Sequence, residues 1–288
     1  MCDNDVNPGK IEDWRVTRRA MVAGSAALMT FATAVEAAEA KVIEKDVEVK
    51  TPDGMCEAVL VYPEGKGSWP AVLVWPDIFG LRPVFRDMGK RLAAQGYVVL
   101  VVNPFYRSIK AAAAQAAMDP TAMQASMQKM FAYRNAMTDE GIDKDSVAYL
   151  AFLDAQPQTA KNKKAGVQGY CMGGPLSFRT AAAVPNRIGA VATFHGGGLV
   201  TTQPNSPHLL IPKTKAAFLC AVAKNDDARA PADKDTLKAA FAAAGRPATV
   251  EVYGGDHGWT VPGSQVYNQA EAERAWTALE KLYKTYLV

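Results

Sequence analysis

The chain has 288 residues, 49% of them hydrophobic and 21% charged. That is apolar material for a large core and an ordinary charge content for a globular protein. A net charge of +3 with no long Lys/Arg block argues against nucleic-acid binding. The three histidines lack ligand spacing and the cysteines form no C-x-x-C pair, so neither a metal nor another cofactor is expected.

The first 40 residues read as an export segment. Arg18-Arg19 precede an uncharged run from Ala20 to Val35, and Ala38-Glu39-Ala40 is an A-x-A cleavage pattern. A basic start, a short apolar run and a small-residue end make a secretory signal, here of the twin-arginine type. The run is too short and Ala-rich for a span, so no stable membrane insertion is expected after cleavage. The mature protein is expected from about Lys41 to Val288, as a single domain in the periplasm. The alternative is a cytoplasmic protein. Cys56, Cys171 and Cys220 then remain, an odd number that leaves at least one thiol free.

In chain order, Ile43–Thr51 roughly alternates apolar and charged residues, and after the turn Pro52-Asp53-Gly54 the segment Met55–Tyr62 runs back as a second strand, which predicts an edge hairpin. Pro70–Trp75 and Tyr97–Val102 are continuous apolar runs expected of strands buried on both faces. Pro83–Gln95 between them has helical period and ends at Gly96. Pro120–Asn135 and Thr138–Gln156 read as helices, the second with an apolar stripe at Ile142, Val147, Leu150 and Leu153. Met123, Met127 and Met130 fit either a lid or a core-facing stripe. Further strands follow at Ala165–Tyr170, Ile188–Phe194, Ala216–Ala223 and Ala248–Tyr253. Helices are expected at Pro175–Ala183, Asp233–Ala244 and Val266–Tyr286. Strands alternating with helices give an α/β fold with a mostly parallel sheet covered on both faces, its chemistry beyond the carboxyl ends of the strands.

After Ala165–Tyr170 stands Gly169-Tyr170-Cys171-Met172-Gly173, the G-x-S-x-G elbow with Cys in place of Ser. The glycines are needed because side chains there would collide across a sharp strand-to-helix turn. The same turn aims the amide of Met172 at the reacting carbonyl as an oxyanion donor. An α/β-hydrolase orders nucleophile, acid and base along the chain. His257, in the glycine-flanked loop after the final strand, fits the base. Asp226 and Asp227, after Ala216–Ala223, compete for the acid. His195 begins an HGGG run, but after the nucleophile, so an oxyanion role is rejected in favour of a pocket-lining or structural turn. His208 reads as a surface residue.

Together these segments resemble the dienelactone hydrolase (carboxymethylenebutenolidase) family of the α/β-hydrolase superfamily, and the likeness runs from about Ile43 to Val288. Trp75-Pro76-Asp77-Ile78-Phe79-Gly80 is similar to that family's E-I-F-G segment. The resemblance implies Asp227 as acid, from the D-x-x-x-P pattern ending at Pro231. It implies Ile78 and Met172 as oxyanion donors, with Asp77 in the place of the family's acidic neighbour of the thiol. It implies Tyr106 and Arg107 as substrate contacts, joined by Trp259 of the Gly-x-x-His-Gly-aromatic segment, and Val261 where the family carries an arginine. The function implied is hydrolysis of a small ester or enol lactone through Cys171, His257 and Asp227 by an acyl-enzyme. A general small-ester or thioester hydrolase, an inactive binding protein of this fold and a redox-sensing thiol are the other readings.

Overall fold

The computed structural model describes residues 41–118 and 120–288, so the expected export segment lies outside the described residues. The hairpin is β1 (Val42–Thr51) and β2 (Gly54–Pro63), paired antiparallel with Thr51 opposite Gly54. The buried strands are β3 (Ala71–Trp75) and β4 (Val98–Val102), followed by β5 (Ala165–Tyr170), β6 (Ile188–Phe194), β7 (Ala217–Ala223) and β8 (Ala248–Tyr253). They form one eight-stranded sheet in the order β1-β2-β4-β3-β5-β6-β7-β8. β2 runs antiparallel to β4, and every pair from β4 through β8 is parallel.

Alternation within the strands sends residues to two separate cores. Leu73, Trp75, Leu100 and Val102 face one side. There they meet α4 (Asp139–Ala155), α5 (Gly173–Ala183) and α7 (Asp233–Ala243) through Tyr149, Leu153, Phe178 and Phe241. Val72, Val74, Val99 and Val101 face α1 (Pro83–Ala94) and α8 (Gln269–Tyr286) on the other. Leu73 and Leu100 are fully buried, a contribution of about 1.5–3 kcal/mol apiece. In α4, Ile142, Leu150 and Leu153 are buried as the spacing predicts, but Val147 is exposed. It stands five residues after Ile142, about 140° round the helix from it.

Three other expectations change. A short helix α2 (Ala111–Ala116) precedes α3 (Met123–Asn135), whose first expected turn is a 3-10 segment at Pro120–Ala122. Val266 belongs to a loop, and Asn268 caps α8 by accepting from the Glu271 amide. The polar segment after β7 is not a loop but a helix, α6 (Lys224–Arg229). Cys56 in β2 and Cys220 in β7 are buried free thiols. The strand order separates them by five strand spacings, about 24 Å, far beyond disulfide reach.

Candidate active site

The parallel strands deliver their carboxyl ends to one edge. Asp77 and Ile78 follow β3, Cys171 follows β5, His195 follows β6, Asp226 follows β7 and His257 follows β8. Cys171 sits in the left-handed region, φ 52°, a strained conformation for a residue with a Cβ. Its amide donates to the Phe194 carbonyl at 3.0 Å, and its own carbonyl accepts from Gly174 and Gly197. The flanking glycines are steric requirements. A Cβ on Gly169 would lie 2.0 Å from the Gly173 carbonyl oxygen, and one on Gly173 would lie 2.3 Å from that of Trp75.

His257 is held from two directions. Its amide donates to Asn225 Oδ1 at 2.9 Å, and its Nδ1 hydrogen-bonds Asp226 Oδ2 at 2.6 Å. The ring also shares a hydrogen bond with Cys171, for which Nε2 is the nitrogen left. Burial disfavours the charged ring, but the hydrogen bonds from Asp226 and Cys171 outweigh it and push the His257 pKa up to about 10. Asp226 is also paired with Arg229.

The sequence-based choice of Asp227 is corrected. Asp227 turns away to Lys234 Nζ at 2.7 Å. Because residues 224–229 are helical, adjacent side chains diverge by about 100°, and only one of the two carboxylates can face the imidazole.

Other expected site residues divide. Ile78 and Met172 line the cavity in front of Cys171. Neither amide makes a turn or loop backbone hydrogen bond among the described residues, which leaves both available as donors. Asp77 lines the same cavity, yet its carboxylate is taken by Arg82 Nη1 and Nη2 at 2.5 and 2.8 Å and by the Phe79 amide at 3.0 Å. It is the cap of a turn, with no contact to the thiol among the described residues.

Tyr106 and Arg107 are not on the cavity wall. Tyr106 Oη contacts Thr51 Oγ1 at 2.6 Å and donates to Asp145 Oδ1 at 2.8 Å. Arg107 donates to Asp145 and Asp53. Their polar groups are used up in tying the hairpin turn to α4. Trp259 is fully buried against Tyr253 and His195, so it is core rather than substrate contact.

His195 meets the expectation of a pocket-lining turn. It has φ 42° and is 1% exposed. Its ring lies 5.0 Å from that of His257, and its Nε2 is 2.9 Å from Thr260 Oγ1. Burial first, and the neighbouring His257 second, hold its pKa well below the ordinary value. The second unassigned histidine, His208, is half-buried, with Nδ1 on Ser206 Oγ at 2.8 Å.

The cavity measures about 1180 Å³. Sequence reasoning missed much of its wall: Arg82, Phe131, Arg134 and the loop Pro262–Val266. Met123 and Met127 lie on that wall, whereas Met130 is buried in the core, so the methionines are split between the two readings. Among the described residues no cluster of His, Cys, Asp or Glu is placed to hold a metal. Among them also, no helix is long and apolar enough to cross a membrane.

The sheet order, the elbow and helices on both faces define an α/β-hydrolase fold. A crystal structure from Klebsiella pneumoniae shares it with a TM-score of 0.73 at 20% identity, covering 85% of this chain and 100% of that one. The chain belongs to the dienelactone hydrolase family, whose model matches residues 56–287. A relative from Methylorubrum extorquens is 26% identical over 285 residues, 94% of each chain. The carboxymethylenebutenolidase of Pseudomonas putida is 27% identical over 172 residues, 59% of this chain and 68% of that one. The protein is thus a dienelactone-hydrolase-like enzyme of the ester and lactone class, acting on a small molecule.

Proposed function

We propose that the protein hydrolyses carboxylic esters or lactones through a thioester acyl-enzyme on Cys171, with His257 as base and Asp226 as the acid behind it. The observation that carries this is the chain of contacts Cys171–His257–Asp226, with the thiol raised on a left-handed turn at the edge of the cavity. Asp226 fixes the tautomer that leaves Nε2 facing the thiol, and it stabilises the cation.

The Cys171 thiolate adds to the carbonyl carbon, and the amides of Ile78 and Met172 receive the oxyanion. Collapse breaks the C–O bond. The leaving oxygen takes the proton from His257, and the acyl group stays on sulfur; in a lactone, the freed alcohol or enol stays tethered to it. Neutral His257 then takes a proton from water as the water attacks the thioester. The acid leaves, and the thiolate–imidazolium pair returns. Enol and aryl esters suit a thiolate because their leaving groups need little protonation, whereas amides do not.

Replacing Cys171 by Ala lowers hydrolysis of a 4-nitrophenyl ester or a dienelactone by about 10³-fold or more, while the fold is kept. Undiminished turnover in Cys171→Ala would exclude the thiol as nucleophile. We extend the proposal to export, on the support of Arg18-Arg19 and the apolar run behind them. Amino-terminal sequencing of the periplasmic protein is expected to begin near Lys41, and an intact Met1 terminus counts against it.

A further inference from the structure

His195 has no part in the triad, yet it shares the strain of the nucleophile. Among the described residues, Cys171 and His195 are the two non-glycine residues in the left-handed region. Their backbones are stitched together. The Cys171 amide donates to the Phe194 carbonyl, and the Gly197 amide donates to the Cys171 carbonyl. The His195 amide donates in turn to the Ala221 carbonyl of β7. Strain of this kind persists only where the surroundings fix it, and it gathers at reacting sites. The backbone alone would be better served by glycine or asparagine.

The ring is an equally poor choice for packing. It is buried among Tyr170, Trp259 and His257, with ring centres 6.2, 5.2 and 5.0 Å away. A hydrocarbon side chain would fill that box with no polar atom to satisfy. The imidazole brings two nitrogens. Nε2 meets Thr260 Oγ1 at 2.9 Å, while Nδ1 is buried with no hydrogen-bond partner beyond its own residue's backbone. A buried polar atom left in that state is unfavourable, and neither the sheet nor the triad requires it.

What the imidazole supplies is a dipole in a fixed direction. Burial and the neighbouring His257 both oppose a proton on it, so it stands neutral while His257 is charged. A second cation beside His257 would drive off the proton that the base has to hold. An apolar neighbour would leave the imidazolium without polar support on that side. A neutral ring locked by Thr260 avoids both, because an oriented dipole in a dry site stabilises a charge with no reorganisation. The other charged groups around the two rings are Asp226 with Arg229 on α6 and the Lys224–Asp256 pair before the His257 loop. Cys171, the Asp77–Arg82 pair and Arg134 stand on the cavity wall. Tyr170 accepts from Gln168 and stays neutral, since burial pushes its pKa up.

We propose that His195 is a positioning residue for the base: held by Thr260, its neutral ring fixes the His257 imidazole beside Cys171 and stabilises the protonated form. This rests on the reading of Cys171 and His257 as the reacting pair.

Iodoacetamide, a neutral reagent, alkylates the Cys171 thiolate, and the mass of the Cys171 peptide follows the reaction across pH; Cys56 and Cys220 are buried. His195→Asn suits the left-handed backbone and removes the ring. Thr260→Val leaves His195 in place and removes the partner of its Nε2. In both variants alkylation at a pH of about 6 is about tenfold slower than in wild type, as a shift of one unit in the pair's titration requires. The rates converge at high pH, where the thiolate forms without help. With 4-nitrophenyl acetate, kcat falls by about tenfold and KM moves little. Thr260→Ser restores both the alkylation curve and kcat.

A role in packing alone lowers the melting temperature of the variants and leaves the alkylation curve where wild type has it. That curve, unmoved in both His195→Asn and Thr260→Val, overturns the inference. A curve that depends on His195 and Thr260, in a protein whose Cys171→Ala form still hydrolyses the ester, supports the positioning role and discards the nucleophile.

Discussion

Two polar clusters stand at the carboxyl edge of the sheet, each containing a partly or fully buried aspartate and each used differently. Around Asp145, the groups of Tyr106, Arg107, Thr51 and Asp53 meet one another completely. Asp145 is 1% exposed. Around His257, by contrast, the imidazole is held by Asp226 on one side while its other side meets a thiol on an open cavity. A closed network holds structure together; an open one keeps a capacity to react. The difference lies in what is left unsatisfied rather than in which residues are charged.

The largest effect expected is on turnover. Asp226→Asn lowers kcat by about 10²-fold or more, because the wrong imidazole tautomer is favoured, while Asp227→Asn changes it less than about threefold. Equal losses in the two variants would return the acid to the choice the sequence motif suggested. Next comes stability without function. Arg107→Met leaves Asp145 as a buried, half-compensated charge and costs about 3 kcal/mol, seen in urea unfolding, with KM for small neutral esters nearly unaltered. A large rise in KM at unchanged stability would put Arg107 back among the substrate contacts.

A pH dependence separates the clusters further. His257 has a folded pKa near 10 against an ordinary 6.5. The stability it contributes is therefore complete below about 6.5 and lost as pH rises towards 10. The melting-temperature advantage of wild type over His257→Gln shrinks across that interval; a constant difference contradicts the pairing of His257 with Asp226 as the source of its raised pKa. The smallest effect is at Trp259. Its Nε1 is buried without a partner among the described residues, so Trp259→Phe removes an unsatisfied donor along with some packing. Less than about 1.5 kcal/mol is expected to be lost, with kcat/KM hardly moved, and a collapse of kcat/KM would restore a substrate role.

The elbow was legible in the sequence because its constraint is local: Gly169 and Gly173 sit where backbones touch, and strand and helix flank them at fixed spacing. His257 was legible for a similar reason, as a glycine-bounded histidine after the last strand. The acid was not. Residues 224–229 form one polar turn and a half with no apolar period, so nothing told helix from loop, and the choice between neighbouring aspartates depended on that. Tyr106 and Arg107 misled because Asp145 lies 39 and 38 residues further on, and sequence does not show that it closes the network. Arg134 went unremarked because α3 has mixed faces: Met130 turns to the core while Met127, three residues earlier, turns to the cavity.

The proposed chemistry meets its most direct test in the covalent intermediate. The enzyme is mixed with 4-nitrophenyl acetate, quenched in acid during the first turnovers, digested and weighed by mass spectrometry, with Cys171→Ala treated alongside. One acetyl group on the peptide containing Cys171, absent from the variant together with its turnover, is the result expected. Acetyl carried on another residue, or hydrolysis persisting in Cys171→Ala, would contradict the thiol as the site of attack.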